Sequence, residues 1–409
     1  MKGDPMQRII AALLVLTLTI PLYGQQQLRR RATRGPTPPP TTTPKPGDPL
    51  AGLTATQRAS FADGLADFSS AEELVDGLGP VFNERACSAC HSVPATGGGS
   101  TRLVTRFARR VKGTFDPLTA LGGTLMQDHA IGLADGSSYV FRAETVPASA
   151  TIVIHRRSTP LFGLGLIDAT ADADFVGLAR TEAMRRDGTA GRVSMVDNIR
   201  AGMKTVGKFG WKAQVPTLFQ FSGDAYLNEM GITTPDFTAE NCPQGNCAEL
   251  AHNPAPGLND DGSGPILLTN FMTMLAAPPR GAQNADTADG ENTFNRIGCN
   301  ACHVDTLRTA ANPIAALSRQ TYHPYSDFLL HDMGALGDDI EQGAASGREM
   351  RTSPLWGLRF ITSYLHDGRA TTLDQAILAH DGQGRAARDR FAALTASAKA
   401  KLLAFLQSL

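Results

Sequence analysis

Apolar residues recur along this chain in three patterns, and each predicts a different element. The first is an unbroken apolar run over residues 9–20, behind Lys2 and Arg8. It is shorter than the ~20 residues that span a bilayer. Residues 1–24 therefore read as an export signal ending in Leu22-Tyr23-Gly24, which places the mature protein in the periplasm or outside the cell. Arg29, Arg30, Arg31 and Arg34 resist translocation, so an uncleaved anchor is the minority alternative. The second pattern is helical: Phe61, Leu65, Phe68, Leu74 and Leu78. The third closes the chain, where Leu402, Leu403, Phe405, Leu406 and Leu409 mark an amphipathic helix. Between signal and first helix, residues 25–49 form a linker whose Pro/Thr tract has nothing to bury.

One stretch occurs twice. Arg157-Ser158-Thr159-Pro160-Leu161-Phe162-Gly163-Leu164 is echoed by Arg351-Thr352-Ser353-Pro354-Leu355-Trp356-Gly357-Leu358. A duplicated unit explains the echo, with the first copy expanded by insertions. Pro278-Pro279 makes a boundary between copies, giving an N-terminal domain over 50–280 and a C-terminal domain over 281–409. With 41 Gly, 25 Pro and 6% aromatics, the expected fold is mainly α with long irregular loops. A formal charge of −1 leaves no basic surplus for nucleic acid.

The chemistry lies in the cysteines. Cys87-Ser88-Ala89-Cys90-His91 and Cys299-Asn300-Ala301-Cys302-His303 are both C-x-x-C-H, the pattern that attaches haem c. Two thiols on one turn add to the vinyl groups, and the following His gives iron its proximal nitrogen. A structural zinc needs four ligands where each motif supplies three, and a redox dithiol needs no His. Phe82-Asn83 and Phe294-Asn295 precede the motifs at the same spacing, which predicts a short helix into each site with an aromatic against the ring. Cys242 and Cys247 remain, and an exported setting favours a disulfide between them over a regulatory dithiol.

Further segments carry a resemblance: Phe209-Gly210-Trp211-Lys212, Asn228-Glu229-Met230-Gly231, Ser326-Asp327-Phe328-Leu329-Leu330-His331-Asp332-Met333-Gly334, Leu365-His366-Asp367-Gly368, and Thr372-Leu373-Asp374-Gln375-Ala376 running on to His380. Over 50–409 the chain resembles the dihaem c-type oxidoreductases, relatives of bacterial dihaem cytochrome c peroxidases and of the methylamine-utilisation dihaem enzyme. The resemblance implies two cytochrome c-like haem domains facing each other. It also implies that electrons enter at the C-terminal haem and that peroxide, or a partner substrate, reacts at the N-terminal one. Trp211 then matches the aromatic between the irons, with a buried core aromatic as the plainer reading. Glu229 matches a distal acid, with a surface Glu as its alternative, and Gln220 is the nearest match to a distal Gln, one residue short of the family spacing. His380 stands where relatives place the sixth ligand of the second haem, usually Met, and Met333 competes with it. His331 and His366 are then supporting or packing histidines. For the first haem His129, His155 and an open position all remain. Relatives hold calcium between the haems, but Asn259-Asp260-Asp261-Gly262 is no clear motif for it.

The sequence thus predicts a periplasmic, peroxidase-like enzyme carrying two covalent haem c, its partners hydrogen peroxide and a small electron donor such as a cytochrome c or a cupredoxin, without a membrane anchor. The alternative is a non-catalytic dihaem electron-transfer cytochrome. The two separate at the first iron, which must be open for catalysis and saturated for mere transfer.

Overall fold

In the computed structural model, residues 44–134 and 138–409 are described. The signal and most of the linker lie outside them. Ten α-helices occur among the described residues: α1 Ala55–Ser69, α2 Cys87–Cys90, α3 Leu164–Asp168, α4 Asp172–Arg185, α5 Leu218–Met230, α6 Ser263–Met274, α7 Ala285–Arg296, α8 Leu373–Leu378, α9 Arg385–Ala392 and α10 Ala396–Gln407. None is long and apolar enough to cross a membrane.

The expectation of a mainly α fold is overturned. Of the described residues 36% are helical and 16% strand, and five small antiparallel sheets among them interrupt the helices. The largest has three strands, Thr114–Asp116, Leu103–Val111 and Ile152–Arg157, in that order. Its middle strand buries Phe107 and Ala108 completely but carries Arg106, Arg109 and Arg110 as well. Three arginines on the strand, with Arg102 and Lys112 beside it, blur the period-two signal. A second hairpin pairs Ser194–Asn198 with Met203–Gly207. The linker ends earlier than its composition suggested. Pro49 bridges Leu275, and the Leu50 N–H donates to the Met274 carbonyl at 2.8 Å.

Two helix pairs form two cores, and they are built alike. In the first, α1 crosses α6, with Phe68 against Phe271 (ring centres 4.8 Å apart). In the second, α7 crosses α10, with Phe294 against Phe405 at 5.3 Å. Each crossing rests on a glycine: a Cβ on Gly64 would stand 2.2 Å from the Leu267 carbonyl oxygen, and one on Gly290 2.1 Å from that of Lys401. Only glycine allows backbones this near. The aromatic one turn on faces the motif histidine, Phe68 to His91 at 6.1 Å and Phe294 to His303 at 6.2 Å. So Phe294 finds its counterpart in Phe68. Phe82, matched to it by spacing alone, lies in the short strand Val81–Phe82 and stacks on His129.

The echoed stretch closes each core in the same way. Gly163 and Gly357 take φ of 73° and 74°, and their N–H groups donate to the carbonyls of Leu275 and Leu409, just past α6 and α10. The echo then crosses between the units. Arg157 N–H donates to the His366 carbonyl, and Arg351 N–H to the Trp211 carbonyl, both at 2.8 Å. Trp211 and His366 are therefore equivalent positions. The equivalence continues along the chain: Phe209 N–H to the Val215 carbonyl matches Tyr364 N–H to that of Ala370. Thr217 then caps α5 by accepting from Gln220 N–H, as Thr372 caps α8 by accepting from Gln375 N–H, both at 3.2 Å. The residue as far beyond Thr217 as His380 is beyond Thr372 is Ala225.

Candidate functional site

Each C-x-x-C-H motif opens onto a cavity, and each histidine is held the same way. His91 donates from Nδ1 to the Gly98 carbonyl (3.0 Å), His303 to that of Tyr325 (2.9 Å). With Nδ1–H on those carbonyls, Nε2 would be the nitrogen left to bind a metal ion, and the His91 ring also meets the Thr159 backbone. Burial pushes both imidazoles down to about 4, so both are neutral, as metal ligation requires. Burial also lifts the thiols, Cys87 and Cys299 to about 12 and Cys90 to about 11.

The second cavity, about 370 Å³, is mostly apolar, with Leu164, Phe294, Leu358, Phe391 and Leu402 in its wall. Cys299, Cys302 and His303 occupy one side, and His380 faces His303 with ring centres 6.5 Å apart. Two imidazoles sharing one metal ion, each at a metal–nitrogen distance of ~2 Å, put their ring centres about 6 Å apart. A metal ion bound between the two histidines would therefore be within reach of both. His380 also donates from Nδ1 to a carbonyl, that of Ala376 at 2.8 Å, and so presents Nε2. Met333 lines the same cavity. His331 lies behind Cys302, its Nδ1 3.4 Å from Sγ and its Nε2 donating to Asp327 at 2.9 Å.

The first cavity, about 650 Å³, is more polar than the second. Cys87, Cys90 and His91 share it with Arg106, Gln127, Asp224, Ala225, Asn228 and Glu229. Glu229 accepts from Asn83 Nδ2 at 2.9 Å. Burial raises its pKa, against the opposing pull of that bond and of Arg106. Desolvation lifts Asp224 to about 6, while Arg106 pulls it down and Glu229 pushes it further up. Neither His129 nor His155 lines this cavity. His129 pairs with Asp128, and His155 bonds Thr105 on the outer sheet.

Trp211 borders both cavities, with Arg157, Thr159, Gly210 and Phe221. Its Nε1–H donates to the Arg157 carbonyl at 2.9 Å, and its ring meets the edge of His366 at 6.2 Å. Gln220 is not brought to either cavity. Its amide donates to the Asp197 carbonyl and accepts from Ile199 N–H, tying α5 to the hairpin. Cys242 and Cys247 are joined in a disulfide whose loop forms part of the first cavity's wall. In the Asn259 to Gly262 stretch the side-chain oxygens are taken up by nearby N–H groups, those of Thr233, Gly262, Gly264 and Ser263. The sequence did not point to Arg106 or Asp224. Only the equivalence of α5 with α8 singles out Asp224, and only the unforeseen strand brings Arg106 in.

The walls fit a haem. Nε of Arg106 and Nε of Arg157 are buried with no hydrogen-bond partner among the described residues, and both arginines line the first cavity. An orphaned buried guanidinium N–H is costly, and a carboxylate on the cofactor relieves it.

Residues 148–409 match the family described as "Di-haem oxidoreductase, putative peroxidase". No curated protein matches the chain. Among solved structures, the chain is similar to hydrazine synthase of Kuenenia stuttgartiensis, solved under xenon pressure, at 14% identity and a TM-score of 0.39 over 100% of both chains. It is also similar to a MauG-like protein associated with microbial copper homeostasis, at 15% identity and a TM-score of 0.38, over 90% of this chain and 93% of that one.

Proposed function

The chain belongs to the di-haem oxidoreductase family, and from that premise we propose that it is an exported enzyme that reduces hydrogen peroxide. One haem c is carried by Cys87, Cys90 and His91, the other by Cys299, Cys302, His303 and His380. Electrons from a small donor protein, a cytochrome c or a cupredoxin, enter at the second site and are used at the first. The observation that carries this reading is the exchange of His380 for Ala225 at equivalent positions. A methyl group cannot ligate iron, so Ala225 offers no counterpart to His380 and would leave room for a substrate in the first cavity.

Haem supplies the electron transfer and the site of O–O bond cleavage, and the chain's residues do the rest. Glu229 accepts a proton from one peroxide oxygen and returns it to the other. Asn83 aims its carboxylate, and Arg106 favours the ionised form that must accept first. Trp211 sits in the wall that the two cavities share and passes electrons across it. The apolar second cavity excludes water from its iron. The Cys242–Cys247 disulfide agrees with an oxidising compartment.

Stopped-flow mixing of reduced protein with peroxide tests the proposal. Peroxide should reoxidise the protein at a rate proportional to its concentration. A protein that peroxide leaves reduced would be an electron carrier instead.

A further inference from the structure

Beyond their capping threonines the two units differ at an adjacent pair: Asp224-Ala225 in the first, Ala379-His380 in the second. Ala225 leaves the first iron open, but an open iron does not require Asp224. Its carboxylate lines the cavity beside Glu229 and Arg106. Asn228 holds it there, with Nδ2 donating to Oδ1 at 3.0 Å and to the Asp224 carbonyl at 2.9 Å.

The need for a second acid follows from the peroxidase reading, on which this inference rests. Peroxide reduction is H2O2 + 2 e− + 2 H+ → 2 H2O. The O–O bond breaks, and two electrons arrive from the donor protein. Glu229 only shifts a proton that peroxide already carries, so the first water leaves with substrate protons alone. The second oxygen leaves as water only after two protons reach it from outside. Bulk water supplies them poorly to a walled cavity.

We propose that Asp224 holds one of these two protons and delivers it to the second oxygen, making it the proton-relay residue of the first cavity. Arg106 from the middle strand and Glu229 from its own helix act on it directly, and Glu84, Cys87, Cys90, His91, Glu144, Arg156, Arg157 and Glu240 share the cavity wall. Desolvation outweighs Arg106 and keeps the carboxyl partly protonated near neutrality, at about 6. Glu240, raised by burial to about 7, stands in the same cavity wall.

The test uses the haem-loaded, full-length protein. Asp224→Asn keeps an oxygen to accept from Asn228, so the fold and Glu229 are left alone. Single-turnover cleavage of peroxide should be unchanged, while steady-state turnover with reductant falls ~100-fold. In the wild type, turnover should fall as pH rises through about 6, because the protonated form is the donor. That limb should vanish in Asp224→Asn and return in Asp224→Glu. Infrared difference spectra across the same pH range should show a protonated-carboxyl band that the Asn variant lacks. If the wild type turns over peroxide and Asp224→Asn matches it in rate and pH profile, the role of Asp224 is overturned and the peroxidase reading stands. If the wild type does not reduce peroxide, both fall.

Discussion

The first and second cavities share one scaffold and differ in what it carries. Both have a buried phenylalanine beside the motif histidine, a backbone carbonyl on its Nδ1, and a threonine-capped helix opposite. Yet one wall is rich in carboxylates, the other in leucine and phenylalanine. The lesson is that packing fixes where a cofactor sits, and a few side chains past the helix cap decide what it does. Asp224-Ala225 against Ala379-His380 is the smallest such difference here.

The largest expected effect comes from erasing that difference. Ala225→His should close the first iron and abolish the peroxide reaction while both haems stay attached, as seen by mass and optical spectra. An Ala225→His protein that still reacts would show that the open position lies elsewhere. Next in size is Glu229→Gln. It should retain both haems and lose ~100- to 10,000-fold in the peroxide step, read by stopped flow. Trp211→Phe should leave that step intact and slow electron arrival from the second site, because the indole lies in the shared wall.

Smaller changes sharpen the second half of the comparison. His380→Met should raise the potential of the second haem, since a thioether ligand favours the ferrous state. Potentiometric titration reads this directly, and an unchanged potential would point to Met333 as the ligand. The smallest effect concerns stability. Asp224 titrates at about 6 in the folded chain, above its ordinary value. The native state then holds a proton that the unfolded state has lost, so stability falls as pH rises from about 4 to about 6. Urea denaturation of the haem-free protein should show that loss, and Asp224→Asn should reduce its slope by the share of one proton, leaving that of Glu72, Glu182 and Glu240, each raised to about 7.

The sequence carried the motifs and the echo plainly, because covalent attachment and tight turns demand particular residues at particular spacings. Gly163 and Gly357 are legible for that reason: both need a positive φ. It misled where spacing alone was used. Phe82 matches Phe294 in distance from its motif but lies in a strand, while Phe68 does the packing. Gln220 was chosen by nearness to a pattern, yet its helix face turns to the hairpin. The sheet that brings Arg106 to the cavity was invisible because pairing Leu103–Val111 with Ile152–Arg157 is a long-range event. No local pattern announces it when arginines break the alternation.

The central claim is that one iron is open and the other closed by His380. An electron paramagnetic resonance spectrum of the ferric protein, before and after adding cyanide, tests it most directly. One high-spin and one low-spin signal are expected, with cyanide converting only the high-spin one, and Ala225→His removing it beforehand. Two low-spin signals in the wild type, both indifferent to cyanide, would contradict it.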